Sequence, residues 1–250
     1  MRALPVIALL CLFDAAASAA PAPIYTAAVE KADRSAADRE RDAREKPAEV
    51  LAFAGFKPGM TVADIFGGGG YYSELVANVV GPQGKVLLLN NGPYVAFAGE
   101  EMKKRFTRDR LANIERTVVE SCNLLLGEST LDAAMIVMSY HDLYHADPKG
   151  GWPPIDAASF LRQIHRALKP GAAFLIVDHS AQPGSGKAPA QELHRIDEAF
   201  AKKDLASHGF VLDDTYEGLR NPDDDRAVLV FDPKVRGKTD RFVHLYRKKR

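Results

Sequence analysis

Three short segments carry most of the reactive side chains of this 250-residue chain: "MSYHDLYH" (138–145), "VDHS" (177–180) and "LHRID" (193–197). A neutral imidazole acts as a general base or as a metal ligand. His141, with Asp142 or Asp178 beside it, is therefore a candidate to deprotonate an acceptor hydroxyl, amine or thiol, with His179 as a further catalytic candidate. The same residue types suit a divalent metal, for which His141, Asp178, His179 and His194 are the candidate ligands. Their spacing is not a metal motif in itself, so base and metal ligand both stay open. His145 shares a face with His141 if the segment is helical. His165, His208 and His244 read as ordinary packing or surface residues.

A second reactive stretch is "VADIFGGGGYYSELVA", Val62 to Ala77. An apolar run ends in Asp64, four glycines follow, and a helix-compatible segment opens at Tyr71. Gly68 and Gly70 have the spacing for a tight turn with close backbone approach, and the helix start beyond offers free N–H groups to a ligand. No Gly-Lys-Ser/Thr follows, so this is not a phosphate-binding P-loop. Asn90 closes the next apolar run 26 residues after Asp64, near the position of a ribose-contacting side chain.

These residues need a frame. Short β-rich runs at "TVADI", Val86–Leu89, Arg116–Val119, "LDAAMIVMS", "AAFLIVDH", "FVLDDTY" and "RFVHLYRKK" alternate with helix-period segments. The helices are expected at Ala48–Phe56, after the glycines, at Glu100–Ala112, from Asp156 to a stop at Lys169, and as one helix from Pro189 to Gly209. Strand–helix alternation predicts an α/β fold: a doubly wound, mostly parallel seven-stranded sheet with helices on both faces. Ligands in such sheets sit at the strand carboxyl ends, where all the segments above fall. Residues 47–250 read as one domain with a charged insertion at about 218–240. In that insertion Asp223, Asp224 and Asp225 precede Arg236 and Lys238, which suggests a flap beside the site. "DPKGGWPPIDA", with the only Trp, reads as a lid or as a plain loop. Residues 20–46 read as a charged helical extension, exposed from about Glu30 onward.

The order of elements, with Asp-x-x-x-Gly-x-Gly after the first strand and "LRQIHRALKPGAAFLIVDH" leading into the fifth, resembles the class I S-adenosylmethionine-dependent methyltransferases. The segments "REKPAEVLAFAGFKPGMTVADI", "DHSAQPGSG", "LHRID" and "VRGKTDRFV" more narrowly resemble a bacterial group of predicted secreted methyltransferases. The resemblance implies a Rossmann-like methyltransferase fold, S-adenosylmethionine as cofactor, and a small-molecule acceptor. It assigns Asp64, Gly68, Gly70 and Tyr71 to the amino-acid end of the cofactor, Asn90 to the ribose, and Cys122 with Asn123 to the adenine. Phe66, Asn90 and Cys122 depart from the family's usual residues there.

Charge and termini limit the alternatives. Thirty-three basic residues balance 33 acidic ones, so no global field draws the chain to nucleic acid or to an anionic membrane. Residues 1–19 read as a signal peptide: Arg2, an apolar run of about 11 residues, and the small-residue site Ala17-Ser18-Ala19. That run is shorter than the ~20 residues that span a bilayer. The expectation is a periplasmic or secreted protein with no stable membrane insertion after cleavage. Loss of Cys11 would leave Cys122 alone and preclude an intramolecular disulfide. Two functions remain open: a methyltransferase, or its scaffold reused outside the cytosol as a metal- or ligand-binding protein or a cofactor-independent enzyme.

Overall fold

The computed structural model describes residues 20–107 and 110–249. The signal-type segment, with Cys11 and the small-residue site, lies outside the described residues. Three helices open the chain: α1 (Pro23–Val29), α2 (Ala36–Glu45) and α3 (Pro47–Ala54). The βα alternation follows as β1 (Thr61–Ile65), α4 (Tyr71–Val80), β2 (Lys85–Asn90), α5 (Gly92–Arg105), β3 (Ile114–Val118), β4 (Leu131–Val137), α6 (Ala157–Ala167) and β5 (Leu168–His179). The chain ends with α7 (Pro189–Leu193), α8 (Glu198–Ser207), β6 (Phe210–Thr215) and β7 (Arg241–Lys248).

The seven strands form one sheet in the order β3-β2-β1-β4-β5-β7-β6. β1 to β5 run parallel, and β7 lies antiparallel to both β5 and β6. Side chains alternate across a strand, so the same run feeds two cores. Ala63 and Ile65 of β1 face one side, where Phe160, Leu161 and Ile164 of α6 pack; Val62 faces the other, against Leu51 of α3 and Leu75 of α4. Burial on both faces explains why β4 is apolar from Ala133 to Val137 instead of alternating, with Asp132 at its edge accepting from Thr61 N–H and pairing with Lys169. Helix α6 shows the local logic. Asp156 accepts from the Ser159 N–H at its start (3.0 Å), and its apolar stripe of Phe160, Leu161, Ile164 and Ala167 is fully buried. Cutting Leu161 to Ala there would cost about 2–5 kcal/mol. Strand order reverses between β1 and β4, which puts the glycine loop and His141 on either side of the switch point.

Three expectations are corrected. Residues 30–46 are not one exposed helix: a turn separates α1 from α2, and Arg34, Asp38 and Glu45 are buried. Arg105 of α5 reaches back to Asp38 and Glu74, and Arg241 at the start of β7 pairs with Glu45. The extension is thereby sewn onto the main domain by ion pairs whose partners lie far along the chain. The helix expected at Glu100–Ala112 starts eight residues earlier, where Asn91 caps it by accepting from the Tyr94 N–H, and ends at Arg105. The single helix expected over Pro189–Gly209 is split at His194, whose φ of 52° is left-handed. The split lets Ile196 exchange backbone hydrogen bonds with the end of β5, donating to His179 O and accepting from Ala181 N.

Candidate functional site

The glycine loop leaves β1 through Phe66, which takes a φ of 56°. The position demands the left-handed conformation that glycine adopts without cost. Phe66 keeps that backbone geometry and uses its ring elsewhere: it stacks on Tyr94 at 4.8 Å and packs on Phe160 at 5.1 Å. The departure at position 66 therefore changes what fills the core, not the course of the loop. Gly68 (φ 57°) follows, and Asn90 clamps it by accepting from its N–H (3.0 Å) and donating to its carbonyl (2.9 Å). Asn90 thereby gains a loop-holding role beside the ribose contact that the resemblance implies. Gly69 and Gly70 are closed over by α5, since a Cβ would strike the Glu101 carboxylate at the first and Phe106 at the second.

Between the loop and the neighbouring elements lies a cleft of about 160 Å³, lined by Arg41, Asp64, Gly67 to Gly69, Tyr71, Tyr94, Phe97 and Met138 among others. Asp64 is its acidic floor. One carboxylate oxygen accepts from Ser73 Oγ (2.6 Å), and the other, Oδ1, is buried without any partner. Burial raises the Asp64 pKa to about 6 against the pull of Ser73 and Arg41. Arg41 comes from α2, with its guanidinium 4.0 Å from the Tyr71 ring centre. Tyr71 in turn donates to Asp42 Oδ1 (2.6 Å). Cys122 and Asn123 are exposed and do not line this cleft. Nor does Gly70, whose place is against Arg105 and Phe106.

The histidine cluster adjoins it, and Tyr94 joins the two: its ring walls the cleft while its hydroxyl donates to Asp142 Oδ2. β4 ends at Val137, Met138 turns through a φ of 55°, and His141 opens a 3₁₀ turn to Tyr144. Asp178, at the end of β5, fixes His141 twice: Oδ2 accepts from its backbone N–H (2.7 Å) and Oδ1 from Nδ1–H (2.8 Å). That contact orients the ring and leaves Nε2 facing Asp142 Oδ1 at 3.3 Å. Burial opposes a charge on His141, but Asp178 and Asp142 outweigh it and raise its pKa to about 9. His194 presents Nδ1 to the same Asp142 oxygen at 3.5 Å. His179 turns away, its Nδ1 2.7 Å from Thr239 Oγ1, and burial followed by the neighbouring cations keeps it neutral.

The structure thus groups His141, Asp142 and His194 as three metal-ligand atoms within 4.8 Å of one another. The expected set of His141, Asp178, His179 and His194 is corrected on two counts: Asp178 stands behind His141, and His179 belongs to Thr239. His145 packs tilted against His194 (4.6 Å) and meets the Gln191 carbonyl. Trp152 caps Tyr94 edge-on at 5.3 Å. The insertion is anchored by the buried Arg195–Asp224 pair and lays Phe231 against His194, while Arg236 and Lys238 stay exposed. Arg41, Tyr94, Glu101 and Thr239 were not legible as site residues. For Tyr94 alone a signal existed, the Asn91 cap with Pro93 behind it.

No family model matches the chain. In sequence it is similar to the ubiquinone/menaquinone biosynthesis C-methyltransferase UbiE of Hydrogenovibrio crunogenus, 26% identical over 56% of this chain and 50% of that one. The chain thus spans about half the length of the curated relatives it matches. In structure it is similar to a SAM-dependent methyltransferase from Aquifex aeolicus, with a TM-score of 0.59, 24% identity, and coverage of 84% of this chain and 93% of that one. It is likewise similar to the [4+2]-cyclase SpnF, with a TM-score of 0.57, 16% identity, and coverage of 86% and 82%. The sheet has the Rossmann-like fold of class I S-adenosylmethionine-dependent methyltransferases, and the sequence is homologous to the UbiE-type members. The cyclase shows that this fold alone does not fix the reaction.

Proposed function

We propose that this protein is an S-adenosylmethionine-dependent methyltransferase that acts on a small-molecule acceptor, and that it works outside the cytosol behind a cleaved signal peptide. The observation that carries the reading is the unpartnered buried Oδ1 of Asp64 beneath the glycine loop. A buried acceptor left unpaired costs about 1–3 kcal/mol, and a ligand ammonium would relieve it. Arg41 lines the same cleft and matches a ligand carboxylate. Asp64 and Arg41 together suit a zwitterionic amino-acid end, so the residues present fit that end of the cofactor. The cleft alone is below the ~300–1,000 Å³ of a whole-ligand site. The nucleoside end would run along α5, where Phe97 is 71% exposed, toward the exposed Cys122 and Asn123.

When bound, the cofactor supplies a methyl group on a positively charged sulfur. The chain's own contribution is placement. Asn90 holds the Gly68 peptide so that the loop is set before ligand arrives. Met138 lines the cleft three residues before His141, so an acceptor lying across it has its polar end at the His141–Asp142 pair. There the polar group of an acceptor hydroxyl, amine or thiol would meet the His141 and Asp142 side chains. Calorimetric titration of the full chain with S-adenosylmethionine and S-adenosylhomocysteine tests the reading. Binding in the micromolar range, lost in Gly68→Arg, is the expected result. A folded protein that binds neither up to millimolar concentration would overturn it.

A further inference from the structure

We propose that His141, Asp142 and His194 form a site for one divalent transition-metal ion of the Zn²⁺ class. This inference stands on the cluster alone and does not depend on the cofactor reading. Asp142 Oδ1 lies 3.3 Å from His141 Nε2 and 3.5 Å from His194 Nδ1. A tetrahedral ion with bonds of about 2.0–2.1 Å spaces its ligands roughly 3.3 Å apart, so both edges already have the required length. Neither contact is a hydrogen bond, and Asp142 Oδ1 has no partner although the residue is nine-tenths buried. The Asp142 oxygen thus sits between two imidazole nitrogens, where a single ion could bridge all three atoms.

The surroundings of the three atoms are those of ligands held for a metal. Asp178 Oδ1 accepts from His141 Nδ1–H at 2.8 Å, which turns the ring so that Nε2 faces Asp142, where an incoming ion would displace the Nε2 proton. Tyr94 donates to the other oxygen of Asp142, so that carboxylate has one end tied and one end free. His194 is held in a left-handed backbone conformation (φ 52°) that breaks the helix running from Pro189. The hydrogen bonds from Ile196 to the end of β5 keep it there. Two imidazoles and one carboxylate suit a borderline ion such as Zn²⁺, Co²⁺ or Fe²⁺, whereas Mg²⁺ and Ca²⁺ take oxygen ligands. Three protein ligands leave a further position for water or for an acceptor oxygen. The His194 side chain, 23% exposed, gives that position a route to solvent past His145 and Phe231.

The test is titration of chelator-stripped full chain with Zn²⁺ by calorimetry, and with Co²⁺ by visible absorption, in the absence of any methyl donor. One equivalent of Zn²⁺ is expected, with a Co²⁺ spectrum of low-symmetry, four- or five-coordinate form. His194→Ala, at a partly exposed residue, should weaken binding at least 100-fold with an unchanged circular dichroism spectrum. Asp178→Asn should weaken it about 10- to 100-fold. His145→Ala should bind as wild type. Gly68→Arg should still take up one equivalent, which separates this site from the cofactor cleft. A folded wild-type protein that binds no Zn²⁺ at 100-fold molar excess, or a His194→Ala variant that binds as tightly as wild type, overturns the proposal.

Discussion

If Asp64 meets the ammonium of the cofactor, affinity must follow the ionisation of a single buried carboxyl. Its pKa of about 6 leaves roughly nine in ten molecules ionised at pH 7 and one in eleven at pH 5. A cation binds only the ionised form, so affinity should fall about tenfold between pH 7 and pH 5, approaching tenfold per unit below that. Asp64→Asn should flatten this dependence and weaken binding about 10- to 100-fold, the worth of a hydrogen bond to a charged group. The free protein moves in the opposite sense. The folded pKa lies above the ordinary 3.8, so the fold penalises the charged form. The penalty is absent below pH 3.8, grows through pH 6, and amounts to about 3 kcal/mol at neutral pH. At about 2–4 °C per kcal/mol, Asp64→Asn should raise the neutral-pH melting temperature by roughly 6–12 °C while impairing binding. Calorimetry from pH 5 to 8 and thermal melts of both proteins decide the matter. A wild-type affinity that does not change over that range would refute the role given to Asp64.

Phe66→Gly should relieve a left-handed φ worth about 1–2 kcal/mol but forfeit about 3–5 kcal/mol of buried ring, a net loss of about 1–4 kcal/mol by urea unfolding, with cofactor affinity kept. Arg41→Gln should lower cofactor affinity tenfold or more at almost no cost in stability, because its 3.5 Å pairing with Glu45 is partly exposed. Arg105→Gln should do far more damage to stability, about 3–5 kcal/mol, since it strips the buried Asp38 and Glu74 of their shared cation; chemical denaturation separates the two variants. Glu198 is held well below its ordinary 4.5 chiefly by the hydrogen bond from His244 Nε2–H, with Lys202 and Arg220 adding to it. Its stabilisation is present above pH 4.5 and lost as pH falls toward the depressed value, so Glu198→Gln should remove part of the acid limb of the stability profile.

Much of the sheet was legible because a parallel strand buried on both faces leaves a run of apolar residues, as in "AAMIV" (133–137), and because the glycines follow the first of them directly. The start of α5 escaped because an apolar search begins with the charged helix and overlooks Asn91 and Pro93 as its start signal. The break at His194 escaped for a deeper reason. The period of "PAQELHRIDEAFAKKDL" is helical throughout, and only the pairing of Ile196 with β5 overrides it. Arg41 lay hidden in a run of charges that reads as solvated, since its neighbours Asp38 and Glu45 find partners 67 and 196 residues away. The histidines were visible as a set. Which of them meet was not, because the choice between Asp142, Asp178 and Thr239 as partners is made by distances across three loops.

The Glu45–Arg241 pair also sets an order of assembly. It ties the second helix to the last strand, and Arg241 donates to the Arg44 carbonyl beside it at 2.9 Å. Arg41, the cationic wall of the cleft, stands one helical turn before Glu45. During synthesis the glycine loop, β2 and the histidine turn all leave the ribosome long before Arg241 does. A nascent chain that has folded through β5 would hold this helix only from one end, by Arg105 on Asp38 and Tyr71 on Asp42, with the Glu45 end still untied. The last strand therefore completes the cationic wall of the cleft, which the earlier elements have already begun to place.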